Sequence, residues 1–185
     1  MDKKTKEQRR KNVIEALNKA RGMELQAIMQ YMNQHYNLDD MDYGDLAAKI
    51  KLIAIDEMRH AEMFAERIKE LGGEPTSDPA AKTKRGQEVS AVFKFDADLE
   101  DDTIDVYNQL LMICRENGDS TSVKLFEAII DEEQIHFNYF DNVQDHITKL
   151  GEKYLAQIAG TPSATGLGNQ GFVARQGGGE APGGA

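Results

Sequence analysis

Glutamate and histidine residues interrupt the apolar stripes of four segments that otherwise have the pattern of amphipathic helices. In the first segment Val13, Leu17 and Ala20 are spaced by four and three residues, and Glu24 takes the next position on the same stripe. Three later segments have the same kind of interruption, at Glu57, His60, Glu100, Glu133 and His136. Isolated carboxylates are costly to bury, so these side chains must be protonated, paired or bound to a cation.

The six interrupting residues form two copies of one arrangement. Adding 76 to the numbers of Glu24, Glu57 and His60 gives Glu100, Glu133 and His136. In each copy the second glutamate belongs to a Glu-X-X-His motif, which places both side chains on one face of a helix. A single motif of this kind is weak evidence, but its repetition at a fixed interval indicates two equivalent helical hairpins.

The segments predict an all-α fold: a four-helix bundle, followed by a short fifth helix over about residues 152–158. Asp42 is a candidate N-cap for the second helix, Gly72 and Gly73 are its expected end, and the third helix is expected to begin after Asp96. Residues 72–95 are then a link long enough to run the length of a helix of about 25 residues. One long crossover between the second and third helices is typical of the ferritin-like bundle.

Length and composition restrict the number of domains and the kind of partner. We expect one domain over residues 1–160 and a Gly-rich, mobile C-terminal tail over residues 161–185. The net charge of -10 argues against nucleic acid and anionic membranes and favours cations. Cys114 is the only cysteine, and neither an export leader nor an apolar run of membrane-spanning length is apparent. We therefore expect a soluble protein of the cytoplasm.

Four carboxylates in one helical core would repel one another unless cations lay between them. Two divalent iron ions would neutralise four carboxylates, and two imidazoles would complete the ligand set. Glutamates combined with two Glu-X-X-His motifs are the ligand pattern of di-iron carboxylate bundles. The sequence thus predicts two non-haem iron ions per chain.

Over about residues 10–160 the sequence closely resembles the bacterioferritin family. The resemblance is carried by the six residues above, by Glu24-Leu25-X-Ala27-Ile28-X-Gln30-Tyr31 and by Ile55-Asp56-Glu57-Met58-Arg59-His60-Ala61. It implies a shell of 24 subunits, built from two-fold dimers, that oxidises Fe(II) with O2 or H2O2 and stores Fe(III) mineral inside. It also implies that Glu57 and Glu133 bridge the two metals, and a small electron-transfer protein is a candidate reductant for iron release.

Tyr31 and Met58 lie beside the ligands and have different expected roles. Tyr31 is two turns after Glu24 on the same stripe, so its phenol could hydrogen-bond a ligand or deliver an electron, or it could be an ordinary core tyrosine. Met58 follows Glu57 and is rotated about 100° away from it, so it should point out of the bundle. In the family that the sequence resembles, the matching methionine binds an iron porphyrin, haem b or a variant such as the coproporphyrin type, shared by two subunits.

One position departs from the family pattern. Some bacterioferritins have a histidine five residues before the second-helix glutamate, next to an iron site on the inner surface of the shell. Leu52 is at that position here, whereas Asp56 is retained. We therefore expect oxidised iron to enter the cavity directly from the di-iron centre.

Three other functional classes fit the sequence less well. A rubrerythrin-like peroxidase would use a similar di-iron bundle, but the form that carries a four-cysteine iron site is excluded by the single cysteine. Small shells with the iron site between subunits would not need the doubled motif. A helical scaffold would have no use for six ionisable residues on its inner stripes.

Overall fold

A computed structural model of the chain describes residues 3–164 and 170–176. Over these residues the chain is all-α, and four long helices make up most of it: α1 (Lys3–Asp40), α2 (Gly44–Glu70), α3 (Val89–Glu116) and α4 (Ser120–Leu150). Two short helices follow, α5 (Glu152–Ile158) and α6 (Phe172–Arg175). Helix α1 packs mainly on α2, and α3 on α4. The predicted ferritin-like bundle with a short fifth helix is confirmed.

Two apolar clusters fill the bundle, one on each side of a layer of ionisable side chains. One cluster includes Leu38, Ile50, Phe93 and Phe140, and the other is built mainly from Leu17, Phe64, Tyr107, Phe126 and Ile129. Each fully buried aliphatic or phenyl side chain contributes roughly 1.5–3 kcal/mol through removal from water. The clusters therefore fix the helices on both sides of the polar layer and hold its side chains in place.

The crossover between α2 and α3 is shorter than the sequence predicted. It covers residues 71–88, because α3 begins at Val89 and not after Asp96. Val92 and Phe93 are buried and extend the apolar face of α3 toward its N-terminus, while Asp96 lies inside the helix. Side chains of α1 anchor the crossover: Asn18 accepts a hydrogen bond from the Thr76 amide at 2.7 Å.

The start of α2 also differs from the prediction. Tyr43, and not Asp42, is the N-cap residue, and Asp42 has a φ of 68°, in the left-handed region. The Thr161 hydroxyl, from the segment after α5, accepts a hydrogen bond from the Asp45 amide at 3.0 Å. A distant residue thus satisfies one of the free amides at this helix end.

Part of the expected C-terminal tail is packed against the bundle. The structure describes residues 161–164 and 170–176 of this region, and Phe172 and Val173 are buried. This Gly-rich region has no apolar residues at helical spacing, so nothing in the sequence pattern indicates that Phe172 and Val173 are buried. The division at residue 160 stays a prediction, and residues 165–169 and 177–185 lie outside the described residues. No helix in the described ranges is long and apolar enough to cross a bilayer.

Candidate metal centre

All six ionisable residues predicted as ligands converge in the middle of the bundle. None of them is more than 2% exposed. Helices α1 and α3 each supply one glutamate, and α2 and α4 each supply a Glu-X-X-His pair. The set comprises Glu24, Glu57, His60, Glu100, Glu133 and His136.

The six side chains form two overlapping groups of four possible donors. Glu24 and His60 belong only to the first group, and Glu100 and His136 belong only to the second. Within each group the donor atoms lie within 4.8 Å of one another. Glu57 and Glu133 are common to both groups.

The two shared carboxylates each direct one oxygen to each histidine. Glu57 Oε2 is 3.1 Å from His60 Nδ1, and Glu57 Oε1 is 3.1 Å from His136 Nδ1. Glu133 lies 3.2 Å from His60 Nδ1 through Oε1 and 3.1 Å from His136 Nδ1 through Oε2. This is the arrangement expected of carboxylates that bridge two cations.

Without metal, the electrostatics of the centre favour retained protons. Burial, followed by repulsion from Glu133 and Glu57, raises the pKa of Glu24 and the pKa of Glu100 well above the ordinary glutamate value. Burial also opposes ionisation of Glu57, but the two neighbouring imidazoles hold the pKa of Glu57 below its ordinary range. Protons therefore compensate the carboxylates where a metal cation could do so.

The histidines respond in the complementary direction. Burial opposes protonation of His60, yet the carboxylates around it, Glu133 first, raise its pKa well above the usual value. His136 behaves in the same way, with Glu57 as the strongest carboxylate partner. A metal that bound Nδ1 of either ring would have to displace a proton, which couples metal binding to pH.

The donor set fits a pair of divalent cations. Oxygen and imidazole donors suit iron and other borderline divalent metals, and four carboxylates balance two such charges. Glu57 Oε1 and Glu133 Oε1 are buried and accept no hydrogen bond from the described residues, although each lies near an imidazole nitrogen. A cation between the carboxylates would satisfy both atoms.

The outer nitrogen of each histidine faces a carboxylate from the opposite motif. His60 Nε2 lies 3.1 Å from Glu132, and His136 Nε2 lies 3.4 Å from Asp56. Each carboxylate can accept the N–H of Nε2, which orients the ring so that Nδ1 faces the shared glutamates. Asp56 and Glu132 are also 76 positions apart, so the internal repeat extends to this second layer.

Two buried tyrosines complete the layer. The Tyr31 hydroxyl donates a hydrogen bond to Glu100, and the Tyr107 hydroxyl donates one to Glu24. Both side chains are fully buried. Tyr31 therefore contacts a glutamate predicted as a ligand, a geometry that fits both of its sequence interpretations.

Sequence reasoning missed Tyr107, Asp56 and Glu132 as parts of the centre. The signal was present, because the interval of 76 that relates the ligands also relates Tyr31 to Tyr107 and Asp56 to Glu132. Applying that interval to every polar neighbour of the motifs would have identified all three.

Met58 and Leu52, the other two residues compared with the family pattern, both lie on α2. Met58 is on the outside of α2 with 58% of its surface exposed, whereas Ala54 and Ala61, about one turn away on either side, are buried. Leu52 is buried on the same helix. His35 lies away from the centre, with Nδ1 2.9 Å from the Ala47 carbonyl oxygen, and the His146 ring packs on Tyr154.

The fold is a four-helix bundle with one long crossover, and its core holds four carboxylates and two imidazoles. Together these features define a ferritin-like protein with a capacity to bind metal. Residues 14–151 match the family model described as Ferritin-like domain. The bacterioferritin of Desulfovibrio desulfuricans is 62% identical over 168 residues, which cover 91% of this chain and 94% of that protein. Bacterioferritin BfrA of Mycobacterium tuberculosis (strain H37Rv) is 34% identical over 152 residues, covering 82% and 96% of the two chains. The chain belongs to the bacterioferritin family.

Solved structures agree with the sequence comparison. The X-ray structure of D. desulfuricans bacterioferritin, described as showing the diiron site in different catalytic states, superposes with a TM-score of 0.87 at 62% identity and covers 91% of this chain and 98% of that chain. The structure of M. tuberculosis BfrA gives a TM-score of 0.75 at 34% identity, with 80% and 93% covered.

Proposed function

We propose that this protein stores iron by oxidising Fe(II) at the six-residue centre and retaining the Fe(III) as a mineral inside a shell of 24 subunits. The observation that carries the proposal is the pair of overlapping donor groups that share Glu57 and Glu133. Each of two Fe(II) ions, as substrate, would be bound by one glutamate and one imidazole of its own group and by the two shared carboxylates. The bacterioferritin relatives support storage over the alternative of a rubrerythrin-like peroxidase.

Each residue of the centre has a defined task in this proposal. Glu24 with His60 binds one iron ion, Glu100 with His136 binds the other, and Glu57 and Glu133 hold the two ions together. Sharing carboxylates keeps both ions close enough for a two-electron oxidant, O2 or H2O2, to react with them as a pair. Tyr31 and Tyr107 orient Glu100 and Glu24 through their hydrogen bonds. The proposal gives the Tyr31 phenol a second task, to supply an electron.

Titration of the purified apoprotein with Fe(II) in air tests this function. About two iron ions per chain should be oxidised rapidly, one for each donor group, and slower oxidation with mineral growth should follow. Rapid consumption of peroxide with no retained mineral would instead favour the peroxidase. No rapid phase at all would refute the oxidation centre.

We also propose that Met58 binds an iron porphyrin between two subunits, one porphyrin per two chains. Met58 projects an exposed thioether from α2, and the residues about one turn before and after it, Ala54 and Ala61, are small. Since a two-fold axis presents the same residue twice, the two copies of Met58 at such an interface would hold the porphyrin iron. When bound, the porphyrin would supply a reversible electron carrier for iron release, with a small electron-transfer protein as the candidate reductant.

Met58→Leu tests the porphyrin site, since leucine keeps the apolar volume and removes the sulfur. The variant should assemble normally and oxidise Fe(II) at the wild-type rate, but purify without a low-spin haem spectrum. Gln134→Leu is the matched control, because Gln134 is exposed on α4 at the position equivalent to Met58. A stoichiometric six-coordinate haem in Met58→Leu would place the porphyrin elsewhere.

Oxidised iron is proposed to pass from the centre into the cavity without an inner-surface site. Leu52 cannot ligate iron, and the Asp56 carboxylate already has partners from His136 and from the C-terminal segment. Crystals soaked in Fe(II) should therefore show no well-occupied iron at Asp56. Such an iron would contradict the direct route.

A further inference from the structure

Residues 170–176, here called the C-terminal clip, pack on α2 and α4 beside the metal centre. The Phe172 ring is 2% exposed and lies 4.8 Å from the Tyr139 ring and 6.3 Å from the His136 ring, centroid to centroid. Lys49 of α2 places its ammonium group 5.8 Å from the same ring. The clip thus covers the histidine side of α4 with an aromatic side chain.

The clip also binds the carboxylate of Asp56 through its backbone. The Val173 amide donates a hydrogen bond of 3.0 Å to Asp56 Oδ2. At residue 171 a Cβ atom would overlap the Asp56 carboxylate. Gly171 has φ of -77° and ψ of -168°, a conformation open to any residue, so the contact with Asp56 is what requires glycine here.

These contacts link the clip to a predicted ligand of the metal. Asp56 Oδ2, the oxygen that Val173 binds, is also the oxygen nearest to His136 Nε2. The Asp56 side chain is 1% exposed. Glu132, which has the equivalent position beside His60, is 28% exposed and has no clip over it in the described part of the chain.

We propose that the clip is a closure that positions Asp56 against His136 and slows metal exchange on that side of the centre. The inference rests on the proposed function, because it needs His136 to be a metal ligand. With the clip docked, Asp56 is held as the hydrogen-bond acceptor of His136, and Phe172 blocks solvent. Metal exchange at the Glu100 and His136 group then requires the clip to detach, whereas exchange at the Glu24 and His60 group does not.

Gly171→Val is the sharpest test, because it adds bulk only where the clip meets Asp56. Ala174→Val is the matched control, since Ala174 lies on α6 and is exposed. Co(II) is the probe, because air does not oxidise it rapidly and its visible absorption reports ligation directly. Loaded protein is mixed with excess chelator, and the decay of that absorption gives the rate of release.

We expect wild type and Ala174→Val to release Co(II) in a fast and a slow phase of similar amplitude. In Gly171→Val the rate of the slow phase should increase about tenfold, the factor that corresponds to losing the free energy of one hydrogen bond to a charged group. The rate of the fast phase should not change. Hydrogen exchange at the Val173 amide should rise in the same variant, which confirms that the clip has detached. Phe172→Ala is a second route to detachment and should give the same change of one phase.

Three results would overturn the inference, and they are distinguishable from one another. If wild type binds two Co(II) ions and all variants release them at wild-type rates while Val173 exchanges rapidly, the clip does not control exchange. If both phases accelerate equally, the clip supports the bundle as a whole. If wild type binds no Co(II), the proposed metal centre fails and the inference fails with it.

Discussion

The two hairpins that supply the candidate metal centre have the same inner chemistry but different surroundings. His60 and His136 each present Nδ1 to the shared glutamates and Nε2 to a carboxylate of the opposite motif. On the His60 side that carboxylate, Glu132, is 28% exposed, and it pairs with Arg59, which also lies 3.5 Å from Asp56. On the His136 side Asp56 is enclosed by residues that follow α5. The difference shows that the ligand geometry is duplicated whereas access to it is not.

The starts of α2 and α4 also differ, because only the start of α2 contacts residues that follow α5. Asp119, at the N-cap of α4, is 76 positions after Tyr43, at the N-cap of α2. The α4 cap is local, because Asp119 itself accepts a hydrogen bond from the Ser122 amide at 3.2 Å. The α2 start relies on Thr161 instead. Residues that follow α5 therefore make the first hairpin different from the second at two places, the start of α2 and Asp56.

The largest expected effect comes from the residues that both halves share. Glu57→Ala and Glu133→Ala each remove a carboxylate from both donor groups. Since loss of an outer partner alone costs roughly 10–100-fold in metal affinity or activity, loss of a bridging ligand should lower the initial rate of Fe(II) oxidation by at least about 100-fold.

Stopped-flow absorbance measures this rate, and Glu62→Ala is the control, since Glu62 is exposed on α2. The two variants should be equally impaired, because the two carboxylates contact both histidines. Wild-type rates in either variant would contradict the shared role.

The helical bundle and the convergence of the six ionisable side chains could be predicted from the sequence because each depends on a regular interval. Glu24 and Glu100 interrupt stripes of helical period, and the two Glu-X-X-His motifs repeat at one shift. The predicted start of α3 is too late because aspartate is a common N-cap residue, and the sequence therefore favours Asp96 as the residue before the helix. In the structure Asp96 is buried and accepts a hydrogen bond from Gln34 at 2.7 Å, a partner far away in sequence.

The clip could not have been predicted in the same way. Its anchor is only Phe172 and Val173, within a Gly-rich region, and a four-residue helix is too short to show a period. Its partners Lys49, Asp56 and Tyr139 come from two other helices. Local composition carries no information on such contacts.

The next largest effect should distinguish the two sides. Asp56→Asn should lower Co(II) affinity by roughly 10–100-fold, the usual cost of losing a carboxylate partner of a metal-binding histidine. Glu132→Gln should cost less, because Glu132 is 28% exposed and water can replace the lost acceptor. Calorimetric titration of the two variants measures both affinities. Equal losses would show that the enclosure of Asp56 has no energetic consequence.

A smaller and symmetric effect is expected from the two tyrosines. Tyr31→Phe and Tyr107→Phe each remove one hydrogen bond to a buried glutamate and should lower the stability of the apoprotein by about 1–2 kcal/mol. The thermal midpoint at matched chain concentration reports the change. Similar shifts would confirm that the repeat extends to this layer, whereas a much larger shift for one tyrosine would show that the halves differ here too.

The smallest effect concerns Asp119 at the N-cap of α4. The Arg67 guanidinium donates hydrogen bonds of 2.8 and 2.9 Å to the two carboxylate oxygens of Asp119. Burial opposes ionisation of this carboxyl, but Arg67 and Ser122 together lower the pKa of Asp119 below its ordinary value. Asp119→Asn keeps a capping oxygen and removes the charge, so the loss should be about 1 kcal/mol or less near neutral pH.

The pH dependence of this loss follows from the direction of the shift. A carboxyl with a lower pKa in the folded chain than in the unfolded chain stabilises the fold above the unfolded value of about 3.9, and that stabilisation disappears as the pH falls through the folded pKa. The difference in thermal midpoint between wild type and Asp119→Asn should therefore be constant from about pH 5 to 8 and shrink below about pH 4. A difference that persisted at lower pH would mean that the α4 cap depends on hydrogen-bond geometry and not on the charge of Asp119. The α4 cap would then differ from the uncharged Thr161 contact at the start of α2 only in how far the capping residue lies from the helix in sequence.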